Sequence, residues 1–226
     1  MVDAAIGGKT GINSDYGKNL IGAFHSPVGV LIDLSWLKTL SDRDFAAGMA
    51  EVIKCGFIAD PKIINLLRGK SLAALRADMP TTIALIEAAV QVKADVVSVD
   101  FKESFTREVL NYGHTLGHAV EIHSKYTMRH GEAISVGLVF AAELAQIRGH
   151  LSEQVVTMHR EILSSLDLPV TYPRAAWSQL LPLLSLDKKS RGKSLRFVAL
   201  SGIGMTLRIE DAIESDLSSA YERISS

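Results

Sequence analysis

From Ser41 onward, apolar residues recur at helical spacing in block after block, with prolines set between the blocks. That rhythm leaves room for little except packed helices. In "SDRDFAAGMAEVIKCGFIA", Ser41 stands as an N-cap with Asp44 three residues on. Further helical patterns occupy about residues 62–75, 80–98, 104–124, 131–149, 152–165 and 174–186, punctuated by Pro61, Pro80, Pro169 and Pro173. "SLRFVALSGIG" and "MTLRI" predict two short strands in a hairpin, and an amphipathic packing helix follows Ile209. The expected fold is mainly α: a multi-helical domain over 41–226 with a short β hairpin. A hydrophobic content of 47% is enough to fill its core.

The first forty residues differ. They are rich in turns, and the run "VGVLID" (Val28–Asp33), bounded by Pro27, predicts a buried strand. Residues 1–40 thus read as the trailing remnant of an α/β domain. Within them "GGKTG" suggests a phosphate cradle. The Walker pattern, however, needs a glycine where Asp3 stands, and no apolar strand precedes it. Lys9 displayed on a glycine-rich turn is what remains.

Lysine plus arginine (24) nearly balance aspartate plus glutamate (25), so no bulk field favours nucleic acid or anionic membrane. One cysteine, Cys55, forms no intrachain disulfide and no CxxC zinc site. No apolar run approaches the roughly 20 residues of a membrane span, and no signal-peptide layout opens the chain. A soluble, cytoplasmic protein is expected.

The chemistry concentrates in "TREVLNYGHTLGHAVEIHSKYTMRHGEA". On one continuous helix, Arg107, Asn111, His114 and His118 would share a stripe about 60° wide. A single histidine there would simply be solvated; four aligned polar groups with apolar flanks point to a site. His114 and His118 are spaced to share a zinc ion. Thr115 replaces the glutamate of a zincin, which removes the metalloprotease reading. One of these histidines could instead join His130, which precedes the next helix. A carboxylate would complete the set, and Glu51 fits: it is the only acid from Phe45 to Ala59, with Lys54 as its one basic neighbour. Two histidines, one glutamate and an open position suit catalytic zinc. His25 and His123 read as structural, and His150 and His159 as surface residues. Lys9, Lys18, Lys93, Arg107 and the Lys188–Lys189 pair describe a pocket for a small polyanion.

Taken in order, "GGKTGIN", "AEVIK", "REVLNYGHTLGHAVE", "HGEA" and "DKK…FVAL…IG" resemble the C-terminal part of the 3-dehydroquinate synthase family, over essentially the whole chain. The resemblance implies the helical metal- and substrate-binding domain of that fold. It implies one Zn²⁺ (or Co²⁺) per chain on Glu51, His114 and His130. His118 and Glu103 would serve proton transfer. Asp3, Lys9, Asn19, Lys54, Lys93, Arg107, Asn111 and Lys188 or Lys189 would hold substrate, while Lys18, Asn19 and Thr39 would touch NAD. The implied reaction is phosphate-eliminating cyclisation of 3-deoxy-D-arabino-heptulosonate 7-phosphate to 3-dehydroquinate, a carbon–oxygen lyase step of the shikimate pathway, in a homodimer. Relative to such a synthase the chain reads as truncated, without the dinucleotide-binding sheet, so it is expected to bind metal without turning over alone. Competing readings are another sugar-phosphate cyclase such as 2-deoxy-scyllo-inosose synthase, a metal-dependent alcohol or glycerol dehydrogenase relative, or a non-catalytic remnant.

Overall fold

The computed structural model describes residues 1–8, 11–14, 17–22, 25, 27–99, 107–191 and 195–226, of which 12–14, 17–20 and 185–191 are described by backbone alone. The chain opens with a small antiparallel pair, β1 (Ile12–Ser14) and β2 (Gly17–Ile21). A 3-10 turn, Leu34–Thr39, leads into α1 (Asp42–Ile58). Then follow α2 (Pro61–Leu67), α3 (Leu72–Ala77), α4 (Met79–Val99), a 3-10 turn Arg107–Asn111, α5 (His114–His123), α6 (His130–Ile147) and α7 (Glu153–Ser165). After the short turn Arg174–Ala176 come α8 (Trp177–Arg191), the hairpin β3 (Phe197–Gly202) and β4 (Met205–Ile209), and α9 (Glu214–Arg223).

Local chemistry sets the helix starts. Ser41 accepts a hydrogen bond from the Asp44 N–H, as its spacing foretold. Asp60 caps α2 with Pro61 following, and Ser71 caps α3. The sequence pattern of one helix over 62–75 is cut in two, because Gly69 turns left-handed at φ 72°.

Two helices form the centre. Helix α6 is buried along nearly its whole length and packs against α1, α5, α7, α9 and β3. Helix α1 adds α2, α4 and the Arg107–Asn111 turn. Close approach on α6 is possible only without side chains: a Cβ on Gly131 would stand 1.8 Å from the Ala47 carbonyl oxygen, and one on Gly137 would stand 1.9 Å from that of Gly113. Across α1 and α4, the Cys55 thiol lies 3.8 Å from the Ala89 carbonyl, and burial pushes it up to about 11.

Three further expectations fail here. Residues 28–33 form no strand: neither edge pairs among the described residues, and the Val28 and Leu31 side chains are fully exposed. An apolar run becomes a buried strand only where neighbours supply hydrogen bonds and cover. The pattern over 104–124 is not one helix, because Gly113, at φ 78°, ends the 3-10 turn and starts α5. Arg107 and Asn111 therefore sit on a separate turn from His114 and His118. Finally, His159 is no surface residue. Helical spacing puts it with Val156, Ile162 and Leu163 on the buried face of α7. Its ring stacks on Phe57 at 3.5 Å, its Nδ1–H donates to the Val155 carbonyl, and its Nε2 accepts from the Tyr112 hydroxyl at 2.9 Å.

Candidate functional site

Helix α1 carries Glu51 and Lys54 into the interior, at 6% and 3% exposure. Their side chains pair at 2.5 Å through Glu51 Oε2. Burial alone would raise the Glu51 carboxyl, but the Lys54 ammonium and the facing imidazoles outweigh it and hold it well below the usual range. The other oxygen, Oε1, is enclosed and makes no hydrogen bond to any described residue. It faces His114 Nε2 at 3.6 Å and His130 Nε2 at 3.4 Å. One ligand atom from each of the three residues lies within 4.8 Å of the other two.

Each imidazole is oriented from behind. His114 Nδ1–H donates to the Tyr112 carbonyl at 3.1 Å, which leaves Nε2 as the free lone pair. His130 Nδ1–H donates to Glu121 Oε1 at 3.0 Å. The rings nevertheless differ electrically. Burial, then Lys54, push His114 well below its ordinary value, so it is neutral. For His130 burial is outweighed by Glu121 and Glu51, which raise it to about 9. An orphaned buried carboxylate oxygen facing two imidazole nitrogens is a donor set that fits a divalent ion such as Zn²⁺ or Co²⁺. His118, one turn beyond His114, is exposed, its ring 5.3 Å from that of His114 and 6.3 Å from that of His130.

Three further segments around α1 bring polar groups. Lys93 on α4 bonds to the Asp3 carboxylate and, at 2.5 Å, to its carbonyl. Burial would lower Lys54, yet Glu51 first and Asp3 further on keep it raised. Asp3 and Lys54 thus feel one another, and the Asp3–Lys93 pair adjoins the Glu51 cluster. Arg107 is buried and reaches the Gly7 carbonyl at 3.5 Å. The Asn111 amide nitrogen is enclosed with no hydrogen-bond partner among the described residues.

Of the residues predicted from sequence, the structure brings together Glu51, Lys54, His114, His118 and His130, with Asp3, Lys93, Arg107 and Asn111 in the surrounding segments. Thr39 ends the first 3-10 turn, exposed, its hydroxyl donating to the Trp36 carbonyl and to none of these side chains. Lys9 and Glu103 lie outside the described residues, and Lys18, Asn19, Lys188 and Lys189 are described by backbone alone. Sequence reasoning missed Glu121 and the Tyr112 carbonyl. A signal for Glu121 existed: it is the sole acid between Glu108 and Glu132, and seven residues from His114 place it on the same helix face.

No helix among the described residues is long and apolar enough to cross a membrane. Two family descriptions match the chain in succession: "3-dehydroquinate synthase N-terminal" over residues 1–47 and "3-dehydroquinate synthase C-terminal" over residues 48–190. A 3-dehydroquinate synthase of Paenarthrobacter aurescens (strain TC1) is 53% identical over 226 residues, covering 100% of this chain and 62% of the relative. One from Thermobifida fusca (strain YX) is 52% identical over 225 residues, covering 100% and 61%. The chain therefore spans a little over three-fifths of the length of these curated relatives. Among solved structures, 2-epi-5-epi-valiolone synthase from Streptomyces hygroscopicus subsp. jinggangensis 5008, with NAD⁺ and Zn²⁺ bound, aligns with TM-score 0.88 at 26% identity, covering 99% of this chain and 62% of its own. A 2-deoxy-scyllo-inosose synthase complexed with carbaglucose-6-phosphate, NAD⁺ and Co²⁺ aligns at 0.78 and 25%, covering 98% and 64%. The helical architecture and both family matches agree, and the chain belongs to the 3-dehydroquinate synthase family.

Proposed function

We propose that this chain supplies the metal- and substrate-binding part of a 3-dehydroquinate synthase, acting in conversion of 3-deoxy-D-arabino-heptulosonate 7-phosphate to 3-dehydroquinate and phosphate. The observation that carries the reading is Glu51 Oε1, buried, without a hydrogen bond to any described residue, and facing two imidazole nitrogens. Glu51, His114 and His130 would hold one divalent ion, which as a Lewis acid would make a substrate alcohol easier to deprotonate. NAD, when bound, would supply transient oxidation and re-reduction of that alcohol.

The chain's own residues have separate tasks. Lys54 balances the charge of Glu51 through Oε2 and keeps Oε1 turned to the imidazoles. His118, exposed beside the cluster, would accept and return a proton at its ring nitrogen. Lys93 and Arg107, with the enclosed Asn111 amide, which has no hydrogen-bond partner among the described residues, would bind the carboxylate and phosphate. Asp3 would turn from Lys93 to a substrate hydroxyl as an anion takes its place. Cations around the leaving phosphate stabilise charge as it develops. Lys9, Asn19, Lys188 or Lys189 would complete the anion site, Glu103 the proton path, and Lys18, Asn19 and Thr39 the NAD contact.

Substrate class is favoured by the gap between sequence relatives at 52–53%, named 3-dehydroquinate synthase, and cyclases of other names at 25–26%. The test is metal content and calorimetry on the purified chain. One Zn²⁺ per chain is expected after dialysis. Glu51→Gln should cut affinity by more than the roughly 100-fold that loss of an outer partner brings. The heptulosonate phosphate should bind and glucose 6-phosphate should not. Retention of no metal, or preference for glucose 6-phosphate, would overturn the assignment.

A further inference from the structure

We infer that Glu121 is the positioning residue of this centre, setting metal affinity through His130 without itself reaching the ion. The inference rests on the proposal that Glu51, His114 and His130 hold a divalent metal.

Glu121 sits on α5, two turns beyond His114, at 4% exposure. A carboxylate so enclosed requires a partner, since a bare buried charge is costly. It has one in the His130 Nδ1–H at 3.0 Å. Because the carboxylate can only accept, the contact fixes that nitrogen as the donor and turns the ring about its Cβ–Cγ bond. The same ring then presents Nε2 to Glu51 at 3.4 Å. His130 thus spans two buried acids, one on α5 and one on α1.

The main chain of Glu121 reinforces this. Its carbonyl accepts from the Tyr126 N–H at 2.8 Å and from the Ser124 hydroxyl at 3.0 Å, pinning the start of the loop that carries the chain to His130. Lys125 and Tyr126 both adopt positive φ in that loop. One residue therefore holds the loop by its backbone at one end and the ligand ring by its side chain at the other. His114 leans on a neutral carbonyl instead. The anion behind His130 makes that imidazole the stronger electron donor and removes its freedom to rotate, the two effects by which an outer partner strengthens a metal site.

The experiment measures Co²⁺ affinity and the visible spectrum of bound Co²⁺ for wild type, Glu121→Gln, Glu121→Ala and the control Glu143→Gln. Glutamine keeps an accepting oxygen and drops the charge, whereas alanine removes both. Affinity should fall about 10-fold for Glu121→Gln and towards 100-fold for Glu121→Ala, with the Co²⁺ bands displaced. Glu143 is also buried, but it is held by Arg160 and Arg223. Glu143→Gln should lower the melting temperature while leaving Co²⁺ affinity within about twofold, since a group distant from the ion acts on stability alone. Wild-type affinity in the Glu121 variants overturns the inference and leaves the metal reading standing. An equal loss in Glu143→Gln also overturns it, because the effect would then be one of stability. Absence of Co²⁺ binding by the wild type overturns both. If Glu121→Ala does not fold, Glu121→Gln decides.

Discussion

Helix α1 and the stretch Val28–Asp33 are close in sequence and both apolar, yet they meet opposite fates. Helix α1 is enclosed by α2, α4, α6 and the Arg107–Asn111 turn, so even its glutamate and lysine are interior. The stretch ahead of it runs through solvent with Val28 and Leu31 uncovered, until Asp33 caps the first 3-10 turn. The contrast shows that enclosure comes from partners and not from apolar character alone. It also shows what enclosure makes possible: a carboxylate oxygen on α1 held facing two imidazole nitrogens, with no hydrogen bond to any described residue.

Breaking the enclosure should have the largest effect. In Gly131→Ala the new methyl would collide with the Ala47 carbonyl 1.8 Å away, so α1 and α6 must separate. A loss of about 3 kcal/mol or more in urea unfolding is expected. Metal binding should go with it, since Glu51 and His130 ride on those two helices. An unchanged unfolding midpoint would mean that the two helices do not set the site.

A second effect is read by pH. Burial holds His159 down to about 4, against an ordinary 6.5. The unfolded chain therefore takes up the proton first. Its stabilising contribution is complete above about pH 6.5, declines as the pH falls towards 4, and levels off below, a total near 3 kcal/mol. Other groups titrate over the same range, so the measurement is the difference between wild type and His159→Gln. The variant's stability should fall less steeply from pH 6.5 to 4; parallel curves would contradict a buried neutral imidazole.

The smallest effect belongs to the uncovered stretch. Val28→Thr together with Leu31→Thr should leave stability within about 0.5 kcal/mol, as for surface sites generally. A loss of 2 kcal/mol would sharpen the comparison in the other direction, by showing the stretch packed.

Much of this was legible in the residues. The helical rhythm gave α1, α4, α6 and α7, and an isolated Glu–Lys pair in an apolar block marked the interior charge. What escaped depended on tertiary contact. Periodicity carried a helix through Gly113, because nothing local says that α6 presses a backbone against that glycine. Residue type alone likewise puts His159 outside, since the Tyr112 hydroxyl that makes its burial tolerable is 47 residues away. Glu121 went unnoticed because its partner comes from the next helix.

Cys55 carries one more consequence. It is the chain's single sulfhydryl, wedged between α1 and α4 and kept in its unreactive protonated form. An alkylating reagent can reach it only during moments when those two helices part, so its labelling rate serves as an internal clock for breathing of the region that holds Glu51.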